Sequence, residues 1–209
     1  MTVTSEDLEA FAPLQWVAPY LKSPNWVIRH RDRGSARDED ADRFCRDTMR
    51  AHNGIQRWLE MYEQPAPGNK LTLSISLCQF GPGFYGYPGI AHGGALLTLM
   101  DEALAGIMVA NETIEHGVEF GRKVGIDWKK LLDEGKSPLE ALESRLVTAK
   151  LDVKFLKPVL CPGLVGIQVE ILEDKGHKMK IRGIMKNEKG TPLLQVDGLW
   201  VKLSGAAKL

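Results

Sequence analysis

Alternating apolar and polar residues run through most of the last two thirds of the chain. Residues 71–77 read LTLSISL, in which large apolar side chains alternate with small polar ones, as in a β-strand with one buried face. Four more segments of this kind follow towards the end, at residues 146–156, 164–172, 177–186 and 193–203. Because EDKG and NEKG supply turns between the last three, we predict that those three form an antiparallel meander.

One long segment has a different pattern. Residues 92–111, HGGALLTLMDEALAGIMVAN, are apolar on almost every side, well beyond the narrow apolar stripe of a surface helix. We therefore predict a central helix that other elements enclose on most sides. One strand before this helix and several antiparallel strands after it indicate an α+β domain, in which a curved antiparallel sheet wraps around the helix.

The first third of the chain has helical spacing of its apolar residues, over residues 5–21 and 42–62. The prolines and glycine within residues 64–70, QPAPGNK, end any helix there. We predict a helical N-terminal extension over 1–65 and a main domain over 66–209. Within that domain, residues 112–145 have helix-like periodicity broken by Gly135 and Pro138, which predicts a helical insertion.

Composition and charge exclude several classes of protein. With 209 residues the chain is long enough for one main core. Lys and Arg number 27, as do Asp and Glu, so the formal net charge is zero and no overall field attracts nucleic acid or an anionic membrane. Asp101 and Glu102 lie near the centre of the longest apolar run and argue against a membrane span.

Cysteine and histidine usage predicts neither disulfides nor a metal centre. The three cysteines, Cys45, Cys78 and Cys161, are widely spaced and odd in number, without a CxxC pair. His30, His52 and His116 are scattered along the chain and make no metal-binding pattern. The acidic first residues also lack the pattern of a transit or secretory signal. We expect a cytoplasmic protein, with mitochondria as the alternative location and without nucleic acid as a partner.

Candidate chemistry is concentrated at the start of the central helix. Gly93 and Gly94 present backbone N–H groups at its positive end, where a carbonyl oxygen can approach closely. Asp101, inside the helix, is a candidate general base or nucleophile, although a structural role for such a carboxylate is equally compatible with the sequence. Asp101 lies eight residues beyond Gly93, about 12 Å along the axis. If the two groups cooperate, they come from two antiparallel copies of the helix, so the chemistry predicts a dimer.

AHGGALLTLMDEA, followed later by TAKLDVKFLKPV, resembles the hotdog-fold acyl-CoA thioesterases of the 4-hydroxybenzoyl-CoA thioesterase-like superfamily. The motif is most similar to the type of human thioesterase superfamily member four. The resemblance covers roughly residues 71–203 and implies hydrolysis of an acyl-CoA thioester without a metal or redox cofactor. It implies that the Gly93 N–H polarises the thioester carbonyl, that Asp101 is nucleophile or general base, and that Thr148 assists the hydrolytic water. His92 is assigned a supporting role, orienting the loop or capping the helix.

The resemblance also implies where coenzyme A binds. The later part of the strand that contains Thr148 and the following hairpin would contact the CoA moiety, which points to Lys154, His177 and Lys178, with Gly94 beside the reacting group. Basic residues alternate along 150–154 and 178–182, and we place these two rows on neighbouring strands, where phosphates could bind. Gly86 stands where some of these enzymes have an assisting asparagine.

Two alternatives to a thioesterase stay open. One is a hotdog enoyl-CoA hydratase or dehydratase with His92 as the base, although the chain offers no carboxylate next to that histidine. The other is a non-catalytic acyl-CoA-binding or scaffold protein that ligand stabilises without turnover. The sequence leaves open the acyl group, the choice between a dimer and a dimer of dimers, and the roles of the insertion and the extension.

Overall fold

Most of the strand-forming segments join one antiparallel sheet of seven strands in a computed structural model that describes residues 2–31, 42–117 and 130–203. The strands of this sheet are β1 (Trp26–His30), β2 (Ile55–Glu63), β3 (Leu73–Phe80), β6 (Leu146–Phe155), β7 (Gly163–Asp174), β8 (Lys178–Lys186) and β9 (Pro192–Lys202). Their order across the sheet is β1-β2-β3-β7-β8-β9-β6. Two short strands, β4 (Tyr85–Tyr87) and β5 (Ile90–Ala91), pair separately.

One long helix accompanies the sheet. The α-helices are α1 (Ser5–Ala10), α2 (Ala18–Leu21), α3 (Gly93–His116) and α4 (Pro138–Ala141), with a π-helical turn at Phe44–Thr48 and 3-10 turns at Ala51–Asn53 and Pro82–Phe84. The predicted central helix is α3, and the meander of β7, β8 and β9 is confirmed. The α+β class, a long antiparallel sheet around a central helix, is therefore confirmed.

Helix α3 lies against the inner face of the sheet. It contacts β3, β7, β8 and β9, and Leu99, Leu104 and Ile107 are completely buried. The close approach of α3 to the sheet depends on two strand glycines. A Cβ on Gly183 would lie 2.6 Å from a methyl carbon of Leu104, and a Cβ on Gly198 would lie 3.0 Å from one. Its length and mean hydropathy of 1.4 would also suit a membrane span, but here α3 serves as the core helix of the sheet.

The N-terminal segment covers the opposite, outer face. Phe11, Leu14 and Val17 are completely buried, and they form a second apolar cluster with Leu59, Met61, Ile75 and Leu77 of β2 and β3. The indole of Trp16 lies over Gly166, and its Nε1 donates to the carbonyl of Asn187 at 3.0 Å. Part of the sheet is thus buried on both faces, by α3 inside and by residues 3–21 outside.

The predicted helix over residues 42–62 is wrong over its last part, residues 55–62, and only short helical turns precede this part. Residues 55–63 form β2, in which Trp58 and Tyr62 belong to the inner core while Leu59 and Met61 belong to the outer cluster. A strand that is buried on both faces gives a continuous apolar run, which spacing alone does not distinguish from a helix. The strand β1 was likewise missed.

The break at residues 64–70 is a connection within the sheet. β2, which ends just before it, and β3, which begins just after it, are hydrogen-bonded neighbours, so the sheet runs across the predicted boundary at 65. Part of the predicted insertion, residues 118–129, lies outside the described residues. On either side of it α3 continues to His116, and residues 130–133 and α4 are helical.

Candidate active site

His92 determines which amide is available at the N-terminus of α3. It is the N-cap residue, with φ −67° and ψ 129°, and its Nδ1 accepts from the Gly94 N–H at 3.1 Å. Gly94 is therefore not a free donor, which corrects the prediction that both glycine amides are exposed. Within the described residues, the Gly93 N–H has no hydrogen-bond partner. Of the two roles offered for His92, the structure has the helix cap.

The Gly93 amide borders an open cleft of about 770 Å³. The cleft, called the first cleft below, is lined by Gly86, Tyr87, Ile90, Ala91, His92, Gly93, Leu96, Phe155, Leu156, Lys157, Pro158 and Val159. Phe155, at the end of β6, is 58% exposed, and its ring would lie 3.4 Å from a Cβ on Gly93. The exposed Lys157 is a cation that the sequence reasoning did not single out. A polarised carbonyl at Gly93 would thus have an apolar wall and one lysine nearby.

Asp101 and Thr148 form a second group of site residues. The Thr148 Oγ1 donates to Oδ1 of Asp101 at 3.1 Å, joining the other end of β6 to the middle of α3. Asp101 is half-buried. A carboxylate that a hydroxyl holds in place, next to solvent, is suited to orient or activate a water molecule.

A β-bulge turns Thr148 towards Asp101. Thr148 pairs with Trp200, but Lys150 pairs with Leu199, so Ala149 is one extra residue on β6. Beyond the bulge Leu151 packs against the inner core and Lys150 is exposed. In a regular strand Thr148 and Lys150 would share a face, so the bulge puts Thr148 on the face towards α3, where it stays exposed to water and reaches Asp101.

The two groups lie apart within one chain. Gly93 and Asp101 are separated by about 12 Å along α3, and they contact opposite ends of β6 through Phe155 and Thr148. A single chain therefore brings Asp101 to Thr148 and Gly93 to His92, but does not bring the amide to the carboxylate.

The predicted basic residues do not form one patch. β9 separates β6 from β8, which corrects the prediction that they are neighbours. Lys154 pairs with Gln195 and Lys178 with Val201, and six residues along β9 correspond to about 20 Å. His177 lies next to Lys178 and donates from Nδ1 to the carbonyl of Lys175 at 3.1 Å.

The basic side chains that follow Lys178 on β8 are largely neutralised by ion pairs. Lys180 forms an ion pair with Glu173, at 2.7 Å, and Arg182 forms one with Asp197, at 2.6 Å. The hydrogen bonds from Lys175 and Lys180 lower the pKa of Glu173 to about 2. These cations are therefore less available to a phosphate than the sequence suggested, whereas Lys154 and Lys157 are exposed.

A buried ionic network contacts α3 at Glu102, the residue after Asp101. The guanidinium of Arg31, whose side chain is 4% exposed, bonds both oxygens of Asp42 and one oxygen of Glu102, and it lies 4.5 Å above the ring of Trp58. Burial by itself would lower the pKa of Arg31, but the hydrogen bond to Asp42 and the charge of Glu102 raise it above its ordinary value. The network ties β1 and the segment after residue 41 to the residue next to Asp101.

Asp42, Cys45 and Glu102 bring ligand-type atoms within 4.8 Å of one another. The guanidinium of Arg31 already bonds both carboxylates, so a metal ion would have to displace it. The three cysteines are buried and form no disulfide within the described residues, and burial raises the pKa of Cys78 and of Cys161. Such thiols are poor nucleophiles.

Comparison with known proteins gives both a family and relatives. Residues 88–193, more than half of the chain, match the model of the thioesterase superfamily. Verlamelin biosynthesis protein B of Lecanicillium sp. is 23% identical over 184 residues, which are 84% of this chain and 78% of that protein.

Similar solved structures include a hypothetical thioesterase with coenzyme A from Streptococcus pneumoniae TIGR4, with a TM-score of 0.43 and 14% identity over 66% of this chain and 84% of that one. Zebrafish thioesterase superfamily member 2 has a TM-score of 0.44 and 12% identity over 66% of this chain and 78% of that one. The finer likeness to the member four type stays a prediction. The family match spans α3, β6, β7 and β8, and with them both groups of site residues, and the chain belongs to the thioesterase superfamily.

Proposed function

We propose that this protein is a homodimeric acyl-CoA thioesterase whose two active sites each combine residues of both chains. The Gly93 N–H donates to the thioester oxygen as negative charge develops on it. Asp101 of the partner subunit attacks the carbonyl or activates a water molecule, with Thr148 of the partner subunit holding the carboxylate. A carbon–oxygen bond forms, the carbon–sulfur bond breaks, and the proton from water goes to the leaving thiolate.

The observation that carries this proposal is the hydrogen bond between Thr148 and Asp101, at the opposite end of β6 from Gly93. A reacting carbonyl must lie about 3 Å from both its donor and its nucleophile or base. A separation of about 12 Å within one helix is too large for that. The missing partner for each group must come from a second chain.

The free edge of β6 offers a way to bring the second chain in. β6 is the last strand of the sheet, and its other edge has no strand partner within the described residues. Two copies of β6 paired antiparallel around a two-fold axis would bring the Phe155 end of one strand next to the Thr148 end of the other. Gly93 would then lie near Asp101 of the partner subunit, which the chemistry requires.

Charges on the outer face of β6 restrict the register of that pairing. Lys150 and Asp152 are exposed and form an ion pair within the chain, at 2.8 Å. Pairing centred on Leu151 would place Lys150 opposite the partner's Asp152, whereas pairing centred on Asp152 would oppose two carboxylates and is disfavoured. We therefore expect Asp152→Lys to weaken the dimer in sedimentation and Lys150→Asp/Asp152→Lys to restore it. If the double variant is folded but still fails to form the dimer, the two strands pair in another register.

The CoA part of the substrate would extend from Gly93 through the first cleft. Lys157 lines this cleft and Lys154 is exposed nearby on β6, so both are suitable point charges for its phosphates. His177 and Lys178 lie about 20 Å away along the strands and would contact CoA only at its far end or from another subunit. No metal or redox cofactor is needed, and we expect the enzyme in the cytoplasm.

A pair of variants of Gly93 tests the role of its amide. Proline is tolerated at the first position of a helix and removes the N–H, and His92 already has the extended backbone that a following proline requires. We expect Gly93→Pro to lose thiol release from acyl-CoA about 100-fold or more. Gly93→Ala keeps the N–H and should stay within a few-fold of wild type, since its Cβ would meet Phe155 at an ordinary 3.4 Å.

Complementation tests the shared site. Co-expressed Gly93→Pro and Asp101→Asn chains, purified as a heterodimer with two different tags, would contain one complete site out of two and should recover about half of the wild-type activity. A site within one chain would give no recovery. Wild-type protein that binds acyl-CoA without releasing thiol would make it a binding protein and refute the hydrolase.

A further inference from the structure

A second, smaller cleft opens on the other side of His92. It has a volume of about 320 Å³ and is lined by Phe44, Thr48, Met49, Gly83, Phe84, His92, Gly94, Ala95 and Thr98. These lining residues include no Asp, Glu, Lys or Arg, whereas the first cleft includes Lys157. The two clefts therefore flank the N-terminus of α3. The first cleft has a cation in its lining, and the smaller one, called the uncharged cleft below, has none.

We propose that the uncharged cleft holds the acyl group and that Phe44 limits its length, an inference that rests on the proposed thioesterase function. A thioester has two arms, and both begin at the carbonyl bound by Gly93. The phosphates of CoA would lose hydration in an uncharged cleft without a compensating partner, whereas an acyl chain loses nothing there. The CoA arm thus takes the first cleft and the acyl arm takes the uncharged one.

The floor and the mouth of the uncharged cleft have different properties. Met49 and Phe84 are buried, at 6% and 3% exposure, and Phe84 stacks on Phe80 with ring centroids 5.1 Å apart. Phe44 is 56% exposed and lies at the open side. A volume of about 320 Å³ is near the lower end of the range of ligand pockets, about 300–1,000 Å³. The cleft therefore fits a short or medium acyl chain, and a longer one must pass Phe44.

The wall that contains Phe44 is held against α3. Asp42, two residues before Phe44, is bonded by Arg31, which also bonds Glu102 on α3. At the other end of the wall the Met49 carbonyl accepts from the Ile55 N–H at 2.8 Å. Residues 42–49 lie outside the family match at 88–193, so this wall belongs to the part of the chain that the family match does not describe.

Two variants change the cleft in opposite directions. Phe44→Ala widens the mouth, and Ala95→Leu fills the cleft from the first turn of α3. We would measure kcat/KM for saturated acyl-CoAs from acetyl to palmitoyl. Since each methylene in an apolar pocket changes specificity by about tenfold or more, Phe44→Ala should raise the ratio of long-chain to short-chain kcat/KM at least fivefold, and Ala95→Leu should lower it by a similar factor.

Phe155→Ala is the matched control, because it removes the same ring from the first cleft. It should change KM for all acyl-CoAs by a similar factor and leave the length profile as in wild type. If Phe155→Ala shifts the profile and the other two variants do not, the acyl arm lies in the first cleft and the inference is wrong. If wild type releases no thiol from any acyl-CoA, the hydrolase proposal fails instead. Calorimetric affinities of the same variants for the same ligands would then decide which cleft holds the acyl group.

Discussion

Replacing Thr148 by valine tests whether the hydroxyl holds a working carboxylate. The change keeps the shape and the β-branch of the side chain and removes only the hydrogen bond to Asp101, which is 3.1 Å long. A bond to a charged acceptor contributes about 1.5–3 kcal/mol, and exposure of Thr148 to water places this one at the lower end. About 1.4 kcal/mol in the transition state corresponds to a tenfold loss of rate. We therefore expect kcat to fall about tenfold and KM to stay within about twofold.

The assay is release of free CoA thiol from an acyl-CoA, with a thermal melt of each variant. Thr113→Val is a matched control, since the Thr113 hydroxyl donates to the Val109 carbonyl at 2.7 Å near the far end of α3 and should not affect the rate. Wild-type kcat in Thr148→Val with an unchanged melt would refute the role of this hydrogen bond. A rise in KM with kcat unchanged would instead assign Thr148 to substrate binding.

Three further predictions concern stability. Arg31→Met leaves Asp42 and Glu102 without the guanidinium that bonds both of them. Because both carboxylates are 21% exposed, we expect the free energy of unfolding in urea to fall by about 3 kcal/mol, the lower end of the range for buried pairs. A fall below about 1 kcal/mol would mean that water replaces the guanidinium. Glu173→Gln removes a carboxylate whose pKa is held at about 2 by Lys175 and Lys180. A carboxylate with a depressed pKa stabilises the fold at pH values above its ordinary pKa of 4.5. The difference in melting temperature between the variant and wild type should therefore be present at neutral pH and shrink as the pH falls from 4.5 towards 2. Gly198→Ala places a Cβ 2.2 Å from the Trp200 ring and should cost about 1–3 kcal/mol by overpacking, with Gly93→Ala as the control whose melt stays unchanged.

The second half of the fold was predictable from the sequence because its patterns are simple. β7, β8 and β9 each have one face towards α3, so their apolar residues alternate and turn residues separate them. The helix α3 was equally clear, because a run as apolar as residues 92–111 requires a partner on more than one side. The roles of Asp101 and Thr148 were implied by the family resemblance, but their hydrogen bond is visible only in the structure, since the two residues are far apart in the chain.

The errors have identifiable physical causes. The sequence predicts a helix in place of β2 because residues 3–21 cover the outer face of this strand while its inner face joins the main core, so both faces are apolar. The direction of Thr148 depends on the bulge at Ala149, and an extra residue in one strand leaves no mark in a single sequence. The separation of Lys154 from Lys178 follows from the insertion of β9 between β6 and β8, which is a long-range choice of strand order.

The N-terminal third has a closer relation to the candidate site than an accessory extension would have. β1 and β2 extend the sheet that supports α3, and Arg31 at the end of β1 bonds Glu102, the residue next to Asp101. The same guanidinium holds Asp42, and with it the segment that walls the uncharged cleft. One buried cation thus connects the sheet edge, the cleft wall and the helix that carries the carboxylate. A change in the first third can therefore alter both the position of Asp101 and the shape of the cleft, although it lies outside the residues that match the family.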